Sequence, residues 1–219
     1  MLDINNKPIG IVSGISGPLW LTVTLKGMAG HTGSVPMPLR RDALLGAAEI
    51  IVGLNEIATQ IKDAPTVGTV ATINVFPSSR NIIAEECTFT VDLRDIDLDR
   101  RHLYEKQLYE KIEAVCKKHS LTYEVKEDTN SEPRYCAPWL KDIIRKQTDA
   151  LGLDAPELMS GPFHDALMLS YVCDYAMIFV RCKDGISHNP LEYSSPEDLA
   201  LGTEVLYGTV LDILNISIK

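Results

Sequence analysis

No stretch of this 219-residue chain stays apolar for the roughly 20 residues that a bilayer-spanning helix needs. Positive charge is also scarce. Twenty-one Lys and Arg face thirty Asp and Glu, a net charge of −9, which argues against nucleic acid or an anionic membrane surface as partner. Cysteine is sparse and unpaired in pattern. Cys87, Cys116, Cys136, Cys173 and Cys182 make an odd number with no CxxC spacing, which reads as reduced thiols in a cytoplasmic protein and excludes a disulfide framework or a thiolate metal site. Residues 1–10 lack the charged, apolar and cleavage regions of a signal peptide. There is no internal repeat and no low-complexity segment.

What is present is the composition of an ordinary globular protein, 45% hydrophobic and 23% charged, with length enough for one sizeable core or two small ones. Leu19, Leu21, Val23 and Leu25 alternate with Trp20, Thr22, Thr24 and Lys26, the pattern of a half-buried strand. Leu44, Ala47, Ala48, Ile51, Leu54, Ala58 and Ile61 recur at three- and four-residue steps, predicting an amphipathic helix over 42–62. Two β-rich runs follow, 66–76 and 86–94, joined by the turn-like Pro77-Ser78-Ser79-Arg80. A second helix fits 98–118, with His102 and His119 read as solvated, and a short strand fits 121–125. The order β-α-β-β-α-β is the split βαβ, or ferredoxin-like, unit.

The polar stretch 126–133 reads as a domain boundary. Beyond it, 139–151 reads as a helix and 175–180 as a short buried strand. The last helix starts at Ser195 as N-cap, with Pro196 in the first turn and Glu197 and Asp198 near the positive end of its dipole. One strand and two or three helices do not close an α/β layer, because parallel strands need neighbours and cover on both faces. The segment 131–219 therefore reads as half of a layer whose partner sheet lies elsewhere.

Four groups of residues could carry chemistry. His31 sits in a glycine-rich loop, Gly27-Met28-Ala29-Gly30-His31-Thr32-Gly33-Ser34-Val35-Pro36, between a strand and a helix; imidazole can bind metal, donate to an oxyanion, or make only a local hydrogen bond. Arg94 lies on the polar face of its strand, able to clamp a carboxylate or simply to pair with Asp92 or Asp95. His188 follows a short loop after a buried strand and reads as a ligand or as a cap for the next helix. His164-Asp165, after Ser160-Gly161-Pro162-Phe163, reads as a substrate contact or a helix start. Glu192 reads as a solvated side chain, and the cysteines, with no paired base, carry no assigned role.

The loop 27–37 running into Arg40-Arg41-Asp42-Ala43, the segment Gly185-Ile186-Ser187-His188-Asn189-Pro190-Leu191-Glu192, and the pair Ser79-Arg80-Asn81-Ile82-Ile83 and Val91-Asp92-Leu93-Arg94-Asp95 resemble the dimeric metal-dependent amidohydrolases. That group includes N-carbamoyl-L-amino-acid hydrolase and allantoate amidohydrolase, relatives of the aminoacylase and carboxypeptidase metallopeptidases. The resemblance implies an α/β fold: a ferredoxin-like lid or dimerisation domain over 18–128, inserted into a catalytic domain to which 1–17 and 129–219 contribute. It implies hydrolysis of the ureido C–N bond of an N-carbamoyl amino acid or allantoate, with His31 stabilising the oxyanion and Asn81 and Arg94 contacting the substrate carboxylate. His164 would lie beside the substrate and His188 would bind a divalent zinc, manganese or cobalt ion. Pro162 and Phe163 stand where the relatives carry small residues. The remaining metal ligands belong to motifs this chain does not contain, so the resemblance implies the C-terminal part of such an enzyme, inactive alone, and a homodimer. The alternatives are acylamino-acid or peptide hydrolysis, and a non-catalytic dimerisation or small-molecule-binding module.

Overall fold

The computed structural model describes residues 2–217, with side chains to 215. In chain order it contains β1 (Ile9–Ile15), β2 (Gly17–Lys26), α1 (Ala43–Thr59), β3 (Val67–Thr69), β4 (Ile73–Phe76), β5 (Glu86–Asp95), α2 (Leu98–His119), β6 (Thr122–Asn130), β7 (Arg134–Tyr135), α3 (Pro138–Ala150), β8 (Glu157–Ser160), α4 (Ala166–Leu169), β9 (Ile178–Val180) and α5 (Pro196–Ser217). These form two compact units, an insert, Ser16–Pro133, and a flanking unit, Met1–Ile15 with Arg134–Lys219. Among the described residues, no helix is long and apolar enough to cross a membrane.

The insert is an antiparallel sheet in the order β3-β5-β2-β6, with β4 pairing a second stretch of β5. Its spine is the β2–β5 ladder, in register from Gly17↔Asp95 to Lys26↔Glu86. Alternation puts Leu19, Leu21, Val23 and Leu25 beside Phe89, Val91 and Leu93 on one face, where Ile50 and Leu54 of α1 and Tyr104, Leu108 and Ile112 of α2 close the core. Asp42 caps α1 by accepting from the Leu44 and Leu45 amides, and Asp97 caps α2 through the Arg100 amide. Ser120, left-handed at φ 54°, ends α2. The opposite face carries Trp20, Thr22, Thr24, Thr88, Thr90, Asp92 and Arg94.

The two edges of this sheet differ. The β6 edge presents Glu124, Lys126, Glu127 and Asp128, with Lys126 paired to Asp128 at 2.6 Å. The β3/β4 edge exposes Val67, Ile73 and Phe76.

Several sequence expectations change. Residues 126–130, read as a linker, are the second half of β6, bonded to β2 with a register shift at Trp20/Leu21. An edge strand that is solvated on both faces has no hydrophobic period to announce it. The helix expected over 42–62 ends at Thr59, and the run 66–76 splits into β3 and β4, which pair different parts of β5. His119 is only 14% exposed and bonds the Glu49 carboxylate at 2.9 Å, so it ties the end of α2 to α1.

The flanking unit is built on β1, which no periodicity revealed. Ile9, Ile11, Val12 and Ile15 are all fully buried, because β1 is central and covered on both faces. On one side β1 meets β9 (Ile9↔Val180) and then β7 (Ile15↔Arg134), both antiparallel; on the other it runs parallel to β8. The stretch 131–219 thus supplies three strands, where one was expected. One face packs Ile9 and Ile11 on Ile144 and Val205 of α3 and α5. The other packs Val12 and Ile15 on Leu167 and Tyr175. Arg181 joins β9 to α5 through both Asp198 oxygens, at 2.9 and 3.0 Å.

Candidate active site

The His31 loop is closed at its base, where the Gly27 and Met28 amides bond Glu85 and Arg41 carbonyls at 2.7 and 2.9 Å. A Cβ on Gly27 would sit 2.0 Å from the Arg41 carbonyl oxygen, so the approach requires glycine. Arg40 holds the loop from inside, its Nε donating to the Val35 carbonyl at 3.1 Å and Nη2 to that of Thr32. A residue that the sequence motif included but gave no role therefore shapes the loop.

The His31 ring is exposed, and its Nδ1 accepts the Gly33 amide proton at 3.1 Å. A nitrogen that accepts cannot also carry the proton, so the neutral ring has its N–H on Nε2, pointing away from its own backbone. The loop thus presents an oriented donor. His31 and Ile82 form a β-bridge, and the Thr32 amide bonds the Asn81 carbonyl at 3.0 Å, which sets Asn81 beside the histidine. The Asn81 Oδ1 accepts from Ser79 Oγ at 2.8 Å, and its amide NH₂ remains as a donor. A cleft of about 400 Å³ opens at the base of this loop, lined by Thr32, Arg40, Ser79 and Arg80 among others but not by His31 or Asn81.

Arg94 stands elsewhere. Its Nε and Nη2 grip Asp92 at 2.7 and 2.6 Å, and the guanidinium lies 5.7 Å from the Trp20 ring centre. The His31 loop joins the sheet at the Lys26↔Glu86 end, whereas Arg94 pairs with Pro18 at the other. Arg94 lies eight residue steps along β5 from Glu86, about 27 Å at roughly 3.4 Å per step. Within one protomer the structure brings His31 and Asn81 together and leaves Arg94 apart.

In the flanking unit, His164 precedes α4, and its carbonyl accepts the Leu167 amide at 2.9 Å. Its ring lies 5.9 Å from Phe179, and Nε2 is buried without a hydrogen-bond partner. Burial pushes the imidazole pKa down, against the opposing charge of Asp165, so the ring favours its neutral form. Phe163 packs against the cluster of Val12, Ile15, Leu167 and Tyr175, which accounts for a bulky residue at this position: it serves the core.

His188 is exposed on a loop whose base is closed by the Lys183 amide on the Tyr193 carbonyl at 2.8 Å. Its backbone is left-handed (φ 56°), and its amide donates to Glu192 Oε2 at 3.0 Å. Glu192, read from sequence as bland, thereby fixes the histidine's backbone. Among the described residues, no three His, Cys, Asp or Glu side chains gather as a metal shell. A zinc site takes three or four protein ligands, and among the described residues His188 has no companions that would make up such a set.

The chain belongs to peptidase family M20/M25/M40, whose model matches residues 7–212. It is 44% identical over 210 residues to an N-carbamoyl-L-amino-acid amidohydrolase of Pseudomonas sp. (strain NS671), a match covering 96% of this chain and 51% of that protein. It is 35% identical to an allantoate deiminase of Arabidopsis thaliana, over 94% of this chain and 44% of the other. A hydantoinase/carbamoylase family amidase from Burkholderia multivorans superposes with a TM-score of 0.90 at 32% identity, covering 97% of this chain and 51% of that one. The chain spans about half the length of the curated relatives it matches.

Proposed function

We propose that this chain is the lid and C-terminal catalytic portion of a metal-dependent amidohydrolase that cleaves the ureido C–N bond of N-carbamoyl-L-amino acids or allantoate. The observation that carries the reading is the Gly33–His31 bond, which leaves Nε2 as the donor. A ureido carbonyl is resonance-stabilised, and its oxygen gains charge as water adds. A preoriented N–H at that position stabilises the addition step without reorganising. Asn81, beside His31, donates to the substrate carboxylate, and the half-buried His164 contacts the substrate. His188 supplies one nitrogen to a zinc, manganese or cobalt ion, which when bound offers Lewis-acid polarisation and an acidified water.

Arg94 completes the carboxylate site from a second copy. Its distance from Asn81 within one protomer supports a homodimer with sites shared between subunits. The apolar β3/β4 edge supports pairing there: a two-fold, antiparallel join of β4 to its counterpart brings the His31 end of one sheet to the Arg94 end of the other. The domain roles follow, with Ser16–Pro133 as lid and dimerisation domain and the flanking unit as part of the catalytic domain.

A second reading, a dimerisation or small-molecule-binding module, is favoured by the incomplete set of ligands among the described residues. One experiment separates them. This chain, assembled with the half of the family fold that it does not match, is given divalent metal and N-carbamoyl-L-amino acids or allantoate. Ammonia release with a stoichiometric ion supports the amidohydrolase. Cleavage of N-acetyl amino acids or dipeptides alone transfers the reading to acylamino-acid or peptide hydrolysis, and an assembly that holds no metal and turns nothing over leaves the binding module.

A further inference from the structure

The open face of the insert's sheet holds a cleft that the proposed chemistry has not used. It encloses about 220 Å³, has a mostly apolar surface, and is walled by Trp20 and Ala71. Its floor is the β2–β5 ladder at Leu21↔Val91, whose side chains turn to the core on the other side. The far wall comes from the register shift between β2 and β6. Trp20 pairs with Thr129 and Leu21 with Glu127, so Asp128 is an extra residue, and the bulge turns its carboxylate onto the open face.

Hydrogen bonding decides what this cleft can hold. Asp92, Thr90 and Asp128 line it, and each is already engaged. Asp92 is gripped by Arg94, and Thr90 Oγ1 meets the Thr72 hydroxyl at 3.1 Å. Asp128 accepts from Thr22 Oγ1 at 2.5 Å and from Lys126 Nζ at 2.6 Å. A polar guest would give up water without gaining a partner of equal quality. An apolar guest loses no hydrogen bond and covers the Trp20 ring, which is 38% exposed.

The cleft also has an address. Trp20 and Asp92 line it, and both touch Arg94, whose guanidinium lies 5.7 Å from the Trp20 ring centre. Cleft and guanidinium therefore share a wall. In an N-carbamoyl amino acid the carboxylate and the side chain leave one carbon, so a carboxylate held at Arg94 lets the side chain turn over that wall. We propose that this cleft receives an apolar or aromatic side chain of the substrate, with Trp20 as the specificity-determining residue. The inference deepens the proposed function and rests on its assignment of Arg94 to the substrate carboxylate. It selects N-carbamoyl-L-amino acids with hydrocarbon side chains over allantoate, whose second ureido group would be buried here unpartnered. Acidic side chains are disfavoured as well, since they meet Asp92 and Asp128.

Two readouts test this. The first uses the enzyme assembled with the half of the family fold that this chain does not match. There Trp20→Ala is expected to lower kcat/KM for N-carbamoyl-L-phenylalanine at least tenfold more than for N-carbamoylglycine, with the difference in KM. Trp20→Phe, which keeps an aromatic face, should recover most of it. Ala71→Phe, at an exposed position, fills the cleft without touching Arg94's support and should act as Trp20→Ala does. Equal losses for both substrates would make Trp20 a prop for Arg94 alone and overturn the proposal, as would a wild-type preference for allantoate over N-carbamoyl-L-phenylalanine. The second readout needs no turnover. N-carbamoyl-L-phenylalanine is titrated into this chain while the indole N–H resonance of Trp20 is followed, with that of Trp139, which donates to Asp174 at 2.8 Å, as reference. A saturable shift at Trp20 that Arg94→Ala weakens at least tenfold supports the cleft even if the assembled enzyme hydrolyses no ureido compound, an outcome that sinks only the amidohydrolase reading. No shift at Trp20 overturns the cleft even if the enzyme is active.

Discussion

His31 Nδ1 accepts the Gly33 backbone N–H at 3.1 Å, so the neutral ring is both oriented and protonated on its far nitrogen before any ligand arrives. In the assembled enzyme, His31→Ala is expected to lower kcat by about 10²–10³, the usual effect of losing one oxyanion donor. Gly33→Pro, which removes the N–H that sets the tautomer and also brings a Cβ to 3.3 Å from the His31 ring, is expected to lower kcat as well. Steady-state kinetics on both variants check this; an unchanged kcat for His31→Ala would remove the histidine from the chemistry.

Arg94 and His31 belong to opposite ends of one sheet, so two defective subunits should repair each other. Homodimers of His31→Ala and of Arg94→Ala are each expected to be nearly inactive. After mixing and subunit exchange, activity should return to roughly a quarter of wild type, because half the dimers are mixed and each has one intact site. No recovery after verified exchange would place both residues in a site within one subunit.

Asp95 is fully buried and bound to Arg100, with Thr66 and the Asp97 amide as further donors. Burial alone would raise its pKa, but the Arg100 guanidinium, the Thr66 hydroxyl and the Asp97 N–H together hold it below the ordinary carboxylate value. A carboxylate lowered in the folded state contributes its full stability above the unfolded pKa, about 3.9, and loses it as pH falls toward the folded value. Urea midpoints should therefore drop below about pH 4. Asp95→Asn should flatten that acid limb and cost about 1–3 kcal/mol at pH 7, because Arg100 loses its short carboxylate partner and keeps only the longer pairing with Asp97 at 3.4 Å.

Phe89 is 1% exposed, at the centre of the insert's core between the sheet and its two helices. Phe89→Ala is expected to destabilise the insert by about 3–5 kcal/mol through lost burial and the cavity left behind. A loss under 1 kcal/mol by urea denaturation would mean that this core repacks freely.

The insert was readable in the sequence because its sheet has one wet face and one dry one. Leu19 to Leu25 and Phe89 to Leu93 alternate cleanly, and side-chain period follows burial. The flanking unit was less so. In β1, Ile9, Ile11, Val12 and Ile15 are buried whichever way they point, so burial erases the period. In β6 the failure is the opposite, since Lys126 to Asn130 are polar on both faces and hydrogen bonding to β2 alone makes them a strand. His31, Asn81, His164 and His188 were singled out by motif resemblance. The supporting contacts of Arg40 and Glu192 were hidden, because they depend on which carbonyl or amide each side chain meets after folding.

The unequal edges of the insert's sheet set a limit on growth. Joining through the β3/β4 edge consumes that edge on both partners, and what remains outermost on each side is β6 with its glutamates, aspartate and lysine. A third copy would have to lay charge against charge to continue the ribbon. On the proposed pairing, the charged β6 edge would end the sheet, and an assembly begun by strand addition would stop at a closed pair instead of extending into a fibre.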